Sequence, residues 1–202
     1  MLEVDKMIFE RPEGLKFFYD FTLMAGDILA VQGPSGIGKT TLLDLIAGFE
    51  TPTSGRLAWN SAEFSLRPPW ERPVTTVFQS DNLFAHLSCK ENVTVALDGN
   101  DITPGQVDEA FARLDIDGLQ HRLPGDISGG QQQRVALVRA LLRDRPVLLL
   151  DESFSALDWT TRQGCFDALQ EIATMRQMAV ILVSHDERDA AYLGCNVLNL
   201  AS

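Results

Sequence analysis

The run Gly33-Pro34-Ser35-Gly36-Ile37-Gly38-Lys39-Thr40 sets three glycines, a lysine and a hydroxyl in the spacing G-x-x-x-x-G-K-[ST]. Glycine lets the backbone bend until successive N–H groups point at one place, and a helix that starts at the lysine adds its own unpaired amides and the positive end of its dipole. That arrangement suits a polyphosphate. Lys39 would supply a cation to the β- and γ-phosphates, and the hydroxyl of Thr40, followed by Thr41 in the same turn, a ligand for Mg²⁺. A glycine-rich turn can also do no more than cap a helix. The phosphate reading is favoured because the apolar run Ile28–Gln32 precedes the turn and helical spacing follows it.

A second site of chemistry stands at Val147-Leu-Leu-Leu-Asp151-Glu152, an apolar run that ends in two acids. A buried strand ending there places carboxylates at the C-terminal edge of a parallel sheet, where open α/β folds bind their ligands. Asp151 would then hold Mg²⁺ through water, and Glu152 would accept a proton from an attacking water. Two acids after a strand can also cap the next helix, and pairing with the glycine loop decides between the readings. A third feature is Ile127-Ser128-Gly129-Gly130-Gln131. Here a serine cap and two glycine amides open a helix and make a second place for an anion.

Positioning these groups requires alternating strands and helices. Ile28–Gln32, Val74–Phe78, Val147–Asp151 and Ala179–Ser184 have the length and aliphatic content of strands, and Lys39–Ala47 has helical spacing ended by Gly48. Between residues 80 and 145 the pattern is mostly helical. One helix is opened by Pro104 and carries Val107, Ala110, Phe111 and Leu114; another follows Gly130 with Val135 to Leu142, after a turn at Leu123-Pro-Gly-Asp. The sequence therefore predicts an α/β chain with a largely parallel sheet. It reads as a single domain over 1–202, with a sheet core from 1–79 and 146–202 and a helical lobe at 80–145; Asn60–Pro73 is expected to be loop with poorly defined strands.

Bulk properties narrow the class. In 202 residues, 45% hydrophobic, one core is expected, and no apolar run approaches the ~18–20 residues of a membrane-spanning helix. The start, Met1-Leu-Glu-Val-Asp, carries no signal-peptide pattern, so a cytoplasmic location is expected. Three cysteines without C-x-x-C spacing argue against a disulfide framework and a structural zinc site. A net charge of −11 without a basic run argues against nucleic acid as a partner.

With the signature at Ile127–Gln131 shortly before the acidic strand, the sequence resembles the ATP-binding cassette (ABC) family, in the P-loop NTPase class of fold. The resemblance covers essentially the whole chain. It implies ATP as substrate, Mg²⁺, and a homodimer in which Ser128, Gly129, Gly130 and Gln131 of one copy close on the γ-phosphate held by the other copy's Gly33–Thr41 loop. It also implies roles for Gln79, reaching Mg²⁺ and the reacting water, for Asp158 in Ser155-Ala-Leu-Asp158, crossing the dimer interface, and for His185, contacting the γ-phosphate. Phe9 is the expected adenine platform, with Phe17 and Tyr19 as rivals.

The stretch Arg72-Pro-Val-Thr-Thr-Val-Phe-Gln-Ser-Asp-Asn-Leu-Phe-Ala-His-Leu-Ser, with Glu91-Asn-Val after it, is similar to the importer branch, in particular to subunits that power thiamine uptake. That implies transmembrane permease subunits docking at Asn82–Val93, a solute-binding protein, and a place on the cytoplasmic face of the cell membrane. Other importers, such as molybdate importers, and lipid exporters use the same cassette. DNA-repair and translation modules carry paired cassettes, coiled-coil inserts or basic segments, none of which is seen here. Ile127 replaces the usual leucine, a volume-conserving change expected to be tolerated. Two departures matter: Ser153 stands where the family usually has proline, which is expected to loosen the turn without removing a catalytic group, and the chain stops at Ser202 soon after Val197-Leu-Asn-Leu, so that the usual closing strands and any regulatory extension are expected to be missing or shortened.

Overall fold

The computed structural model describes all residues except 81, 98–102 and 201–202. Asp81 of the importer-like stretch and the end at Ser202 therefore lie outside the described residues. Two compact units emerge, one of residues 1–76, 145–151 and 173–202, the other of 77–144 and 152–172. From sequence, residues 152–172 belong with the sheet core; in the structure they join the helical unit.

The first unit holds two sheets and one long-range apolar core. Its parallel sheet has the order β6 (Val74–Val77), β7 (Val147–Asp151), β8 (Ala179–Val183), β3 (Ile28–Gln32), β9 (Asn196–Asn199). Strands β7 and β8 run in register from Val147↔Ala179 to Asp151↔Val183, and β3 pairs with β8 from Ile28↔Val180. Their continuous aliphatic runs follow from burial on both faces. Both expected strand ends fall one residue early, at Val77 and Val183, because Phe78 and Ser184 leave the ladder for local hydrogen bonds.

The sequence did not disclose the second sheet, an antiparallel arrangement in the order β2 (Lys16–Leu23), β1 (Leu2–Glu10), β4 (Ser54–Trp59), β5 (Ala62–Glu63). Helix α1 (Lys39–Ala47) shares one core with both sheets: Leu42, Leu45 and Ile46 lie with Leu2, Val4 and Met7 and with Leu149, Ile181 and Val183. It ends at Gly48 in the left-handed region, as expected from sequence.

Arg72 closes the far end of α1. It is 3% exposed, and its guanidinium donates to Leu45 O (2.6 Å) and Ile46 O (3.0 Å) in the last helical turn, to Ser65 O (2.8 Å) and to Arg67 O (2.7 Å). It thereby satisfies helix-end carbonyls that have no partner within the helix. The segment Asn60–Pro73, read from sequence as loop, contains β5 and a 3-10 turn at Pro69–Glu71.

The second unit contains α2 (Cys89–Thr94), α3 (Pro104–Arg113), α4 (Gly129–Leu142) and the first part of α5 (Trp159–Arg176). Helix α4 packs against α2 and α3 with Val135 to Val138 and Ala140 to Leu142 buried. Serine and threonine capping boxes open all three of α2, α3 and α4. A short helix α6 (Glu187–Leu193) completes the first unit.

Candidate functional site

The Gly33–Thr40 loop joins β3 to α1, the setting its spacing requires. Pro34, Ser35 and Gly36 are exposed, Gly33 and Ile37 half-buried. Gly38 has φ +109°, and a Cβ there would lie 2.5 Å from Phe17 Cδ1 and 2.6 Å from the Tyr19 hydroxyl, so only glycine fits. The reason is a floor of aromatic rings: Phe9, Phe17 and Tyr19 stack in succession with centroids 6.4 and 6.5 Å apart, and the Tyr19 hydroxyl donates to Gly38 O at 2.8 Å. Burial pushes the Tyr19 phenol far up and keeps it a neutral donor. Phe17 and Tyr19 are buried beneath the loop, and Phe9 is half-buried.

Lys39 is buried and donates to Gly33 O (2.7 Å) and Pro34 O (2.9 Å) of its own loop. Thr40 is exposed, while Thr41 is buried and its Oγ1 accepts from Arg11 at 3.3 Å. Asp151 ends β7, which packs against α1. These groups fit Mg²⁺: an exposed hydroxyl and a half-buried carboxylate are hard oxygen donors, and an ion that keeps most of its waters needs no cage of acids. No cluster of three or more His, Cys, Asp or Glu forms among the described residues. His185 is exposed in the turn after β8, which is fixed by Ser184: its hydroxyl donates to buried Asp189 (2.6 Å) and accepts from the Asp186 amide (3.0 Å). A cleft of about 660 Å³ beside Gly36 and Ile37 is lined by Leu15, Phe18, Leu198 and Leu200, and none of Lys39, Thr40, Asp151 or His185 reaches it.

Asp151 is felt on α1. The Asp44 carboxyl is raised above the usual carboxylate range, first by burial and then by the charges of Asp151 and Glu50. A raised carboxyl favours the protonated folded state, so ionised Asp44 opposes folding at neutral pH, and the opposition fades as pH falls through its folded value toward the ordinary one. Asp44→Asn is therefore expected to melt higher than the natural protein at pH 7.5, with the difference shrinking toward pH 4 in thermal scans.

In the second unit, Gln79 Nε2 donates to Glu152 Oε2 at 3.1 Å. Glu152 has φ +48°, a left-handed backbone that is uncommon outside glycine and gathers at functional sites. The Gln79 segment is pinned by Asn82, whose side chain accepts from Phe78 N (2.8 Å) and donates to Phe78 O (2.6 Å). Asn92, fully buried, holds the next stretch by accepting from Phe84 N and donating to the carbonyls of Phe84, Leu87 and Ser88. Neither amide was singled out from sequence for this work; only the four-residue spacing of Phe78 and Asn82 carries a local-turn signal. On this stretch Phe84 is exposed, and Leu83 and Leu87 are half-buried.

Ser128 caps α4, accepting from Gln131 N (3.3 Å), while its own amide donates to Gln131 Oε1 (2.9 Å). The amides of Gly129 and Gly130 open the helix and have no residue four earlier within it to bond. A Cβ on Gly130 would lie 2.8 Å from Leu157, so glycine also permits the close approach of the Ser155–Asp158 loop. Asp158 accepts from the Thr161 amide (3.1 Å) and hydroxyl (2.7 Å), and these bonds hold its carboxyl below the usual range. Contrary to the loosening expected of Ser153, its side chain is 3% exposed and its hydroxyl donates to Val77 O at 3.1 Å.

A family model described as ABC transporter matches residues 19–155. The chain belongs to the ABC transporter family. Among curated proteins, this ABC chain is 43% identical to the thiamine import ATP-binding protein ThiQ of Chelativorans sp. (strain BNC1), over 98% of the chain and 82% of that protein. It is 44% identical to ThiQ of Escherichia coli (strain K12) over 86% and 76%, and 48% identical to ThiQ of Salmonella choleraesuis (strain SC-B67) over 85% and 75%. A solved dimeric structure of a bacterial ABC transporter cassette superposes with TM-score 0.83 at 25% identity, over 99% of this chain and 94% of that one. As an ABC ATPase the protein binds nucleotide and hydrolyses ATP to drive transport. No helix among the described residues is long and apolar enough to cross a membrane.

Proposed function

We propose that this chain is the ATPase subunit of a thiamine importer, working as a pair of copies at the cytoplasmic face of the membrane beneath transmembrane permease subunits that receive thiamine from a solute-binding protein. One observation carries the pairing. Helix α1 opens at Lys39 after a glycine N-cap, whereas α4 opens on Gly129-Gly130-Gln131-Gln132 with no lysine or arginine in its first turn, and the guanidinium of Arg134 beyond it donates to Leu114 O (3.0 Å) and Asp115 O (2.6 Å). The Ser128 end thus offers amides without a cation in its own helix's first turn, which suits it to complete a site on a second copy.

In this reading the Gly33–Thr41 loop of one copy grips ATP, with Lys39 on the β- and γ-phosphates and Phe9 against adenine. Mg²⁺, held by Thr40 and Asp151 with Gln79, supplies charge neutralisation at the phosphates. Glu152 accepts the proton of the attacking water, and His185 contacts the γ-phosphate. Ser128, Gly129, Gly130 and Gln131 of the second copy close over it, with Asp158 at the interface. Only ATP satisfies both anion sites, so ATP favours closure and ADP releases it. The permease subunits take up that motion at Asn82–Val93, where Asn82 and Asn92 hold the backbone and leave Phe84 exposed.

The cargo is tested in cells that lack their own thiamine-import ATPase but express this chain with its permease and binding protein. Uptake of labelled thiamine is expected to return, and Lys39→Ala or Ser128→Arg to abolish it. Uptake of another solute without thiamine would overturn the cargo. Full uptake with Ser128→Arg would overturn the pairing.

A further inference from the structure

We propose that Ser153 is a positioning residue for ATP hydrolysis, its hydroxyl fixing the approach of Gln79 to Glu152. The inference rests on Glu152 being the proton acceptor. Two chain segments far apart in sequence meet through two hydrogen bonds: Ser153 Oγ to Val77 O at 3.1 Å, and Gln79 Nε2 to Glu152 Oε2 at 3.1 Å. Each bond lies within two residues of the other on both segments, so the first limits the freedom of the second.

Glu152 also has a backbone that must be held in place. At φ +48° it occupies a region that non-glycine residues keep only where their surroundings over-determine it. The next residue supplies part of that restraint, because Ser153 is anchored by a buried hydroxyl to the last residue of β6. Asn82 holds the other side, fixing both backbone groups of Phe78 directly before Gln79. Gln79 is thus bracketed by Ser153 and Asn82, and its reach to Glu152 is set by backbone restraint as well as by its own side chain.

Small displacements of a proton acceptor cost turnover more than binding, since the lysine and amides that grip the phosphates stay in place. Ser153→Ala is therefore expected to lower kcat for ATP about 3- to 10-fold while KM changes less than about twofold; the Val77 carbonyl, left without its buried donor, also lowers the melting temperature by a few degrees. A stability effect alone would leave kcat per folded molecule unchanged.

The deciding measurement is a double-mutant cycle in steady-state ATPase assays of the full chain, with Gln79→Ala as the second change. If Ser153 acts through the Gln79–Glu152 contact, adding Ser153→Ala to Gln79→Ala costs less than about twofold. An unchanged kcat in Ser153→Ala, or the same fold loss in both backgrounds, would overturn the proposal. Glu152→Gln is run alongside. Natural turnover in that variant refutes the role of Glu152 itself, whereas collapse there with an unaffected Ser153→Ala refutes only the positioning role.

Discussion

Glu152→Gln is expected to lower ATP turnover by roughly 10²–10⁴-fold, the range lost when a positioned proton acceptor is removed, while ATP binding stays within a factor of a few. The substitution keeps the volume of the side chain and its ability to accept from Gln79, so the contact at 3.1 Å can persist. What it removes is basicity. Because the proposed phosphate contacts lie on the Lys39 loop and not on Glu152, affinity should survive, and the variant should accumulate in the ATP-bound paired state. Single-turnover hydrolysis and light scattering with and without ATP measure the two effects. Turnover at the natural rate would exclude Glu152 as the acceptor.

The largest expected effect on stability comes from Arg72. Arg72→Leu keeps apolar bulk but leaves the carbonyls of Leu45, Ile46, Ser65 and Arg67 without their charged donor. Charge-assisted bonds lost from buried acceptors put the cost at about 3 kcal/mol or more, a fall of roughly 6–12 °C in Tm for a chain of this size. Arg72→Lys is expected to recover less than half, since an ammonium lacks the planar fork that reaches four acceptors on different elements. Thermal melts read the effect directly. ATPase activity per folded molecule should be unchanged below the transition, because Arg72 sits at the opposite end of α1 from Lys39. A drop under about 1 kcal/mol would mean that water replaces the guanidinium at those carbonyls.

Some of this was legible in sequence, for physical reasons. The β3–loop–α1 unit is local: an aliphatic run, a glycine turn and 3.6-residue periodicity lie side by side, and Lys39–Ala47 with its Gly48 cap was readable to the residue. The buried parallel strands were equally clear because burial on both faces makes them continuously apolar. The antiparallel sheet was not, since β1 and β2 bury one face, and β1 pairs irregularly between Val4 and Met7. Ser153 illustrates the harder case. Its partner lies 76 residues away, and nothing in the neighbouring sequence distinguishes a hydroxyl that ties two segments from one that merely fills a turn. Residues 152–172 carry helical periodicity without any mark of which body they pack in.

Lys39 already lends its ammonium to two peptide oxygens, at Gly33 and Pro34. With Lys39 in its proposed role, an arriving triphosphate would swap acceptors rather than meet a bare charge, and the heat of binding would reflect an exchange of partners instead of a new bond. Nucleosides without phosphates could not make that trade, so for them the lysine would stay locked and contribute no grip.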